Sequence, residues 1–106
     1  MPLLVNDLLT IVTISVNDIN SLVKETARIE SSNNDKAIGD KGKSRGRYQI
    51  QEATWKRYSK KPWKIYAHDR KESTRVVRLI LKDCIKKCGN KPSFQRIRYY
   101  YTHGGF

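Results

Sequence analysis

The chain has 106 residues, with 22 Lys and Arg against 10 Asp and Glu, a net charge of +12. This length predicts one domain with a thin core, and two cysteines exclude a disulfide-stapled miniprotein. Apolar residues at 38%, aromatics at 9% and clear patterning exclude a disordered chain, and the charge calls for a polyanion: nucleic acid, an anionic membrane or an anionic polysaccharide.

Residues 3–16 (LLVNDLLTIVTISV) are the longest apolar run. Asn6 and Asp7 interrupt it, and it is too short for a membrane span. It lacks the basic n-region and small-residue cleavage site of a signal peptide. A packed or frayed N-terminal helix is therefore placed ahead of a secretion remnant. A helix is predicted from Asn17-Asp18, both good N-caps. Ile19, Leu22, Val23 and Thr26 form its buried face, which Glu30 continues. The polar cluster Ser31-Ser32-Asn33-Asn34-Asp35 ends it. Gly39, Gly42 and Gly46 predict a loop or short hairpin over residues 36–50. A short helix over 52–58 carries Trp55 and Tyr58, and Pro62 interrupts the chain beyond it. Asp69 caps a long helix to about Cys88, with an apolar stripe of Val77, Ile80, Leu81, Cys84, Ile85 and Cys88 and with Gly89 at the C′ position. A last helix starts at Pro92 or Ser93, buries Phe94, Ile97 and Tyr101, and closes at Thr102-His103-Gly104-Gly105. No repeat or linker is present.

Cys84 and Cys88 share one helical face. A metal half-site or redox pair would need a further ligand, and no suitably spaced Cys or His supplies one, so two small core residues are expected. A disulfide across one helical turn would be strained. The charge is uneven: residues 1–50 carry seven bases and six acids, whereas residues 51–106 carry fifteen and four.

Two carboxylates are candidates for chemistry. Glu30 sits on the buried face at the C-terminal end of a helix. Desolvation and the negative helix end both disfavour its anion and raise its pKa, as a general acid requires. The plainer alternative is a Glu that turns to solvent or pairs with an Arg. Asp40 lies in Gly39-Asp40-Lys41-Gly42 among bases, where polar, cationic surroundings keep a carboxylate ionised. Its plainer alternative is an Asx-turn residue. One acid held neutral and one ionised is the division of labour of glycoside hydrolysis. The glycines do not form a phosphate loop, because no Gly-Lys-Ser/Thr opens a helix here.

Ile29-Glu30-Ser31-Ser32-Asn33-Asn34, then Ala37-Ile38-Gly39-Asp40-Lys41-Gly42, then Gly46-Arg47-Tyr48-Gln49-Ile50 resembles the lysozyme superfamily. The order looks most like invertebrate-type lysozymes and their bacterial relatives, and is similar to goose-type lysozymes and lytic transglycosylases. The resemblance runs over residues 17–106, through Ala53, Trp55 and the long basic helix. At its end, Tyr101-Thr102-His103-Gly104-Gly105-Phe106 looks like the family's H-N-G-G-P segment. It implies an α+β, mainly helical, lysozyme-like fold with a small β-hairpin: a catalytic domain over 17–106 after the apolar segment 1–16. It also implies Glu30 as general acid and Asp40 as nucleophile or water-orienting base. Tyr48 and Gln49 would line the sugar groove, and Tyr101, Thr102, His103 and Gly104 would close its other wall. Three departures stand out. The Glu30-to-Asp40 spacing is short for the family. His103 replaces the usual Asn, in a place where a solvated helix C-cap is an equal alternative. Two cysteines replace many disulfides, which points to a bacterial-like or otherwise reduced form. The chain also stops after Gly-Gly-Phe where relatives often continue, which implies an incomplete wall on that side.

The function so implied is a muramidase: a monomeric, secreted peptidoglycan hydrolase cleaving the β-1,4 bond between N-acetylmuramic acid and N-acetylglucosamine, with no cofactor and no metal. A lytic transglycosylase is the runner-up. The basic second half would bind the anionic cell-wall polysaccharide. The alternatives from other classes are a catalytically dead wall-binding module of the same fold and a nucleic-acid-binding protein. The last is suggested only by aromatics among bases at 55–64 and 96–101, without a recognisable motif, so no specific nucleic acid is expected.

Overall fold

The computed structural model describes residues 18–104; the apolar segment 1–16, Asn17, Gly105 and Phe106 lie outside the described residues. The chain is mainly helical with a small antiparallel sheet. Helix α1 spans Ile19–Ser31. Asp18 caps it, its carboxylate accepting from Asn20 N and Ser21 Oγ at 3.0 Å each. Leu22, Val23, Thr26 and Ala27 form its buried face, as the helical period requires. The helix ends on two left-handed residues, Ser32 (φ 54°) and Asn33 (φ 65°). Their amides return to Arg28 O and Ala27 O, a Schellman close with serine where glycine is usual.

Strands β1 (Ile38–Gly39), β2 (Ser44–Arg45) and β3 (Ile50–Gln51) form a three-stranded antiparallel sheet in sequence order, with a 3-10 turn over Asp40–Gly42. Gly39 pairs with Ser44, and Ser44 in turn with Gln51. The expected hairpin is thus the outer part of a slightly larger sheet. Two-residue strands are too short to persist alone, and side chains from elsewhere hold these in place. Ser31 Oγ donates to Arg47 O at 2.7 Å, and Trp63 Nε1 donates to Ile50 O at 2.9 Å.

Helix α2 (Glu52–Tyr58) follows β3 directly, and α3 (Trp63–Tyr66) begins after Pro62. The sequence carries no helical period that would announce α3. Proline lacks the N–H that a first turn leaves unused, so Pro62 starts this turn as well as stopping the chain before it. Helix α4 (Arg70–Lys87) runs through the middle of the fold and packs against α1, α2, α3 and α5 (Phe94–His103). Asp69 and Ser93 cap α4 and α5 by accepting from Glu72 N and Arg96 N, and Gly89 takes the left-handed conformation (φ 66°) just beyond α4. Val76, Val77, Ile80, Leu81 and Cys84 of α4 pack with Leu22, Trp55 and Ile97 in the core. Both cysteines are buried and free, as small core residues. No helix among the described residues is long and apolar enough to cross a membrane.

Candidate active site

One cleft of about 200 Å³ collects residues from well-separated stretches of the chain. Glu30 comes from the last turn of α1. Asp40 and Ser44 come from the sheet turn, and Gln49 to Gln51 from the third strand and the residue before it. Tyr101, Thr102, His103 and Gly104 come from the end of α5, with Thr54 and Ile80 between these groups. Both candidate carboxylates and five of the six expected groove residues therefore line the same space.

Tyr48 is the exception. It is 3% exposed, its hydroxyl lies 2.8 Å from Thr74 Oγ1, and its carbonyl accepts from Tyr101 Oη at 2.6 Å. Tyr48 and Gln49 lie in the turn before β3, and the left-handed backbone of Gln49 (φ +51°) separates the directions of the two side chains. Tyr48 goes into the core and Gln49 lines the cleft.

Glu30 is largely enclosed, its side chain 18% exposed, and its Oε2 accepts from Arg98 Nη2 at 2.5 Å. The guanidinium favours the anion, in the opposite sense to burial and the helix end. Of the two expectations for Glu30, the structure shows the plainer one, a glutamate paired with an arginine, and not an acid surrounded only by anion-disfavouring effects. Arg98 also lies over the ring of Tyr101, 5.3 Å from its centroid. Burial, and secondarily the Glu30 charge, hold the Tyr101 phenol well above its ordinary value, so it stays a neutral donor to Tyr48 O.

Asp40 is exposed, and its Oδ2 accepts from the buried Ser44 hydroxyl at 2.6 Å. Its φ is +50° and that of Lys41 is +57°, so the turn presents the carboxylate from a left-handed backbone. Gln49 has φ +51°, and its amide donates to Gly46 O at 3.0 Å and Ala37 O at 3.3 Å. A Cβ on Gly39 would stand 2.2 Å from Gln49 Oε1, and one on Gly46 would stand 1.8 Å from Ala67 O. Gly46 is thus required where the sheet closes on α3, whereas at Gly39 only the movable end of the Gln49 side chain stands in the way.

His103 lies in the last turn of α5, stacked on Tyr99 with ring centroids 4.0 Å apart. Its Nδ1 is 2.7 Å from Tyr99 O. A carbonyl only accepts, so Nδ1 carries the hydrogen. His103 is thus both a helix-end residue and a cleft residue. Among the described residues, no group of three or more His, Cys, Asp or Glu side chains is arranged to hold a metal ion.

Sequence reasoning passes over Arg98, Ser44, Thr54 and Gln51. Arg98 carries a readable signal: Phe94, Ile97, Arg98 and Tyr101 follow the i, i+3, i+4, i+7 pattern of one helical face. Counting only the apolar members drops it. Compared with known proteins, the chain matches no family model, no curated protein and no solved structure.

Proposed function

We propose that this protein is a peptidoglycan hydrolase of the lysozyme kind, a muramidase cleaving the β-1,4 bond between N-acetylmuramic acid and N-acetylglucosamine. The observation carrying this reading is the single cleft shared by Glu30, Asp40, Gln49, Tyr101, Thr102, His103 and Gly104. The sequence motifs, read independently of any contact, name these same positions. In the proposed reaction Glu30 donates a proton to the glycosidic oxygen as the C–O bond breaks. Asp40, solvated and hydrogen-bonded by Ser44, serves as nucleophile or as base for a water. The Gln51 amide and Thr54 hydroxyl are suited to the acetamido groups of such a sugar, and Ile50 and Ile80 to its C–H faces. The cleft lies below the roughly 300–1,000 Å³ of ordinary small-ligand pockets, which suits the reacting part of a polymer whose remainder lies along the surface. Lys and Arg of the second half would steer the protein to an anionic wall, outside the cell.

The decisive experiment is clearing of a cell-wall suspension. Wild type is expected to clear it and Glu30→Gln to lose about 10²–10⁴-fold in rate, the span of general acid catalysis. A wild type that clears nothing, or an equally active Glu30→Gln protein, ends this reading. Product ends then separate hydrolysis, which leaves a free reducing end, from intramolecular transfer by a lytic transglycosylase, which does not. The Arg98–Glu30 ion pair favours one competitor, a wall-binding module without catalysis, because a carboxylate neutralised by arginine is a poor proton donor. Wall binding without clearing would establish that alternative.

A further inference from the structure

Glu30 is held at one oxygen only. Oε2 accepts from Arg98 Nη2, which leaves Oε1 without a hydrogen bond among the described residues, and the Glu30 side chain lines the cleft. The bond joins the last turn of α1 to the middle of α5, 68 residues away, and both side chains are more than four-fifths enclosed. Arg98 is imperfectly satisfied there, since its Nη1 is buried without an acceptor. An unmet buried donor is destabilising, and a buried ion pair is a weak source of stability in any case. Stability alone is therefore a poor account of an arginine at this position, on the one enclosed carboxylate of the cleft.

Resting on the reading of Glu30 as the proton donor, we propose that Arg98 is its positioning residue: it anchors Oε2, so that Oε1 is the oxygen left to carry the proton to the substrate. The other groups near Glu30 leave this assignment to Arg98. Tyr101, from α5, is neutral. Cys84, from α4 and close enough to feel Arg98, has a thiol that burial pushes up to about 12. Asp40, from the sheet turn, is exposed and bonded to Ser44. His103 is exposed at the end of α5 and lines the same cleft, so it is controlled for directly.

The test uses the whole chain on soluble peptidoglycan fragments, with kcat and KM measured from pH 4 to 9 for wild type, Arg98→Lys and Arg98→Gln. Removing the cation lets a carboxylate keep its proton to higher pH. The alkaline limb of kcat in Arg98→Gln is expected to move up, and to do so in a His103→Asn background as well. Its kcat should fall by about 10–100-fold from lost positioning, with KM within about twofold. Arg98→Lys keeps the charge and loses the fork, so kcat falls while the limb stays in place. If Arg98→Gln fails to fold, Arg98→Lys and wild type still decide. In wild type the guanidinium NMR signals of Arg98 must titrate together with the Glu30 carboxyl carbon. An unmoved limb, a change confined to KM, or Arg98 signals that ignore the Glu30 titration overturns the proposal while the hydrolase reading stands. A wild type without any clearing activity overturns both.

Discussion

Ser44 is buried, and its hydroxyl lies 2.6 Å from Asp40 Oδ2. The carboxylate projects from a turn in which Asp40 and Lys41 both have positive φ. Among the described residues, the non-glycine residues with positive φ are Ser32, Asn33, Asp40, Lys41 and Gln49. All lie within one 18-residue stretch, and two of them line the cleft. Such conformations cost on the order of 1 kcal/mol each; Ser32 and Asn33 close α1, whereas those of Asp40 and Gln49 set the directions of two side chains that line the cleft. Ser44→Ala tests whether Asp40 takes part in the chemistry. It should lower stability by about 1 kcal/mol. If Asp40 must be held ionised and oriented, kcat should fall about tenfold, the equivalent of roughly 1.4 kcal/mol in the barrier. Denaturant unfolding and wall-clearing rates on the same sample separate the two effects. A stability loss with full activity would remove Asp40 from the mechanism.

At the scale of elements, the long helices are legible because each carries its signals within its own sequence. Asp18, Asp69 and Ser93 accept at three N-termini, and Leu22 to Ala27 and Val76 to Cys84 repeat at helical spacing. The hidden features are set by contacts between distant residues. Helix α3 has four residues, and its Trp63 is fixed by Ile50 O. The indole of Trp55 is likewise tied to Lys61 O at 2.7 Å, which turns the chain between α2 and α3. The third strand is two residues long and has no local period to read. The site shows the same division. Glu30 and Asp40 are found from their neighbours in sequence; Arg98 can be placed on the inner face of α5 by its spacing, but nothing local tells that it pairs with Glu30, 68 residues away. The two motif glycines test how the sheet is built. Gly46 has φ +85° and a backbone carbonyl where a Cβ would go, so Gly46→Ala is expected to cost about 3 kcal/mol. Gly39 has an ordinary extended backbone, φ −125°, and the obstacle is only the end of the Gln49 side chain. Gly39→Ala should cost about 1 kcal/mol while displacing the Gln49 amide and weakening binding of wall fragments. Unfolding and binding measurements on both variants check this ordering, and equal stability losses would show that Gln49 cannot move.

At the scale of the molecule, the net charge of +12 makes the few acids important to stability as well as to chemistry. Glu72, at the start of α4, is buried and accepts from Ser59 Oγ at 2.7 Å and from Arg75 Nη2 at 2.7 Å and Nε at 3.0 Å. Arg75, with Ser59 assisting against the opposing effect of burial, lowers its pKa from 4.5 to about 2. Asp35 joins the turn after α1 to Arg47 and to Arg70 at the start of α4, and those two guanidinium groups, Arg47 first, hold it below the usual carboxylate range. Both groups bind protons more readily in the unfolded chain. Their stabilisation is therefore complete above about pH 4.5 and is withdrawn as pH falls toward 2. The full shift of Glu72 corresponds to about 3 kcal/mol, which the half-exposed Arg75 reduces to roughly 1–2 kcal/mol. Each carboxylate that takes up a proton also raises the positive charge further, so self-repulsion adds in the same direction and is screened by salt. Thermal unfolding monitored by circular dichroism should show a melting temperature that drops between pH 4.5 and 2, less steeply in about 0.5 M salt. Glu72→Gln should melt lower than wild type at pH 6 and lose a large part of the acid slope, because the proton it would have taken up on unfolding is gone. A Glu72→Gln protein with the wild-type slope would shift the acid sensitivity to Asp35 and to net charge, and Asp35→Asn under the same salt series would then divide those two.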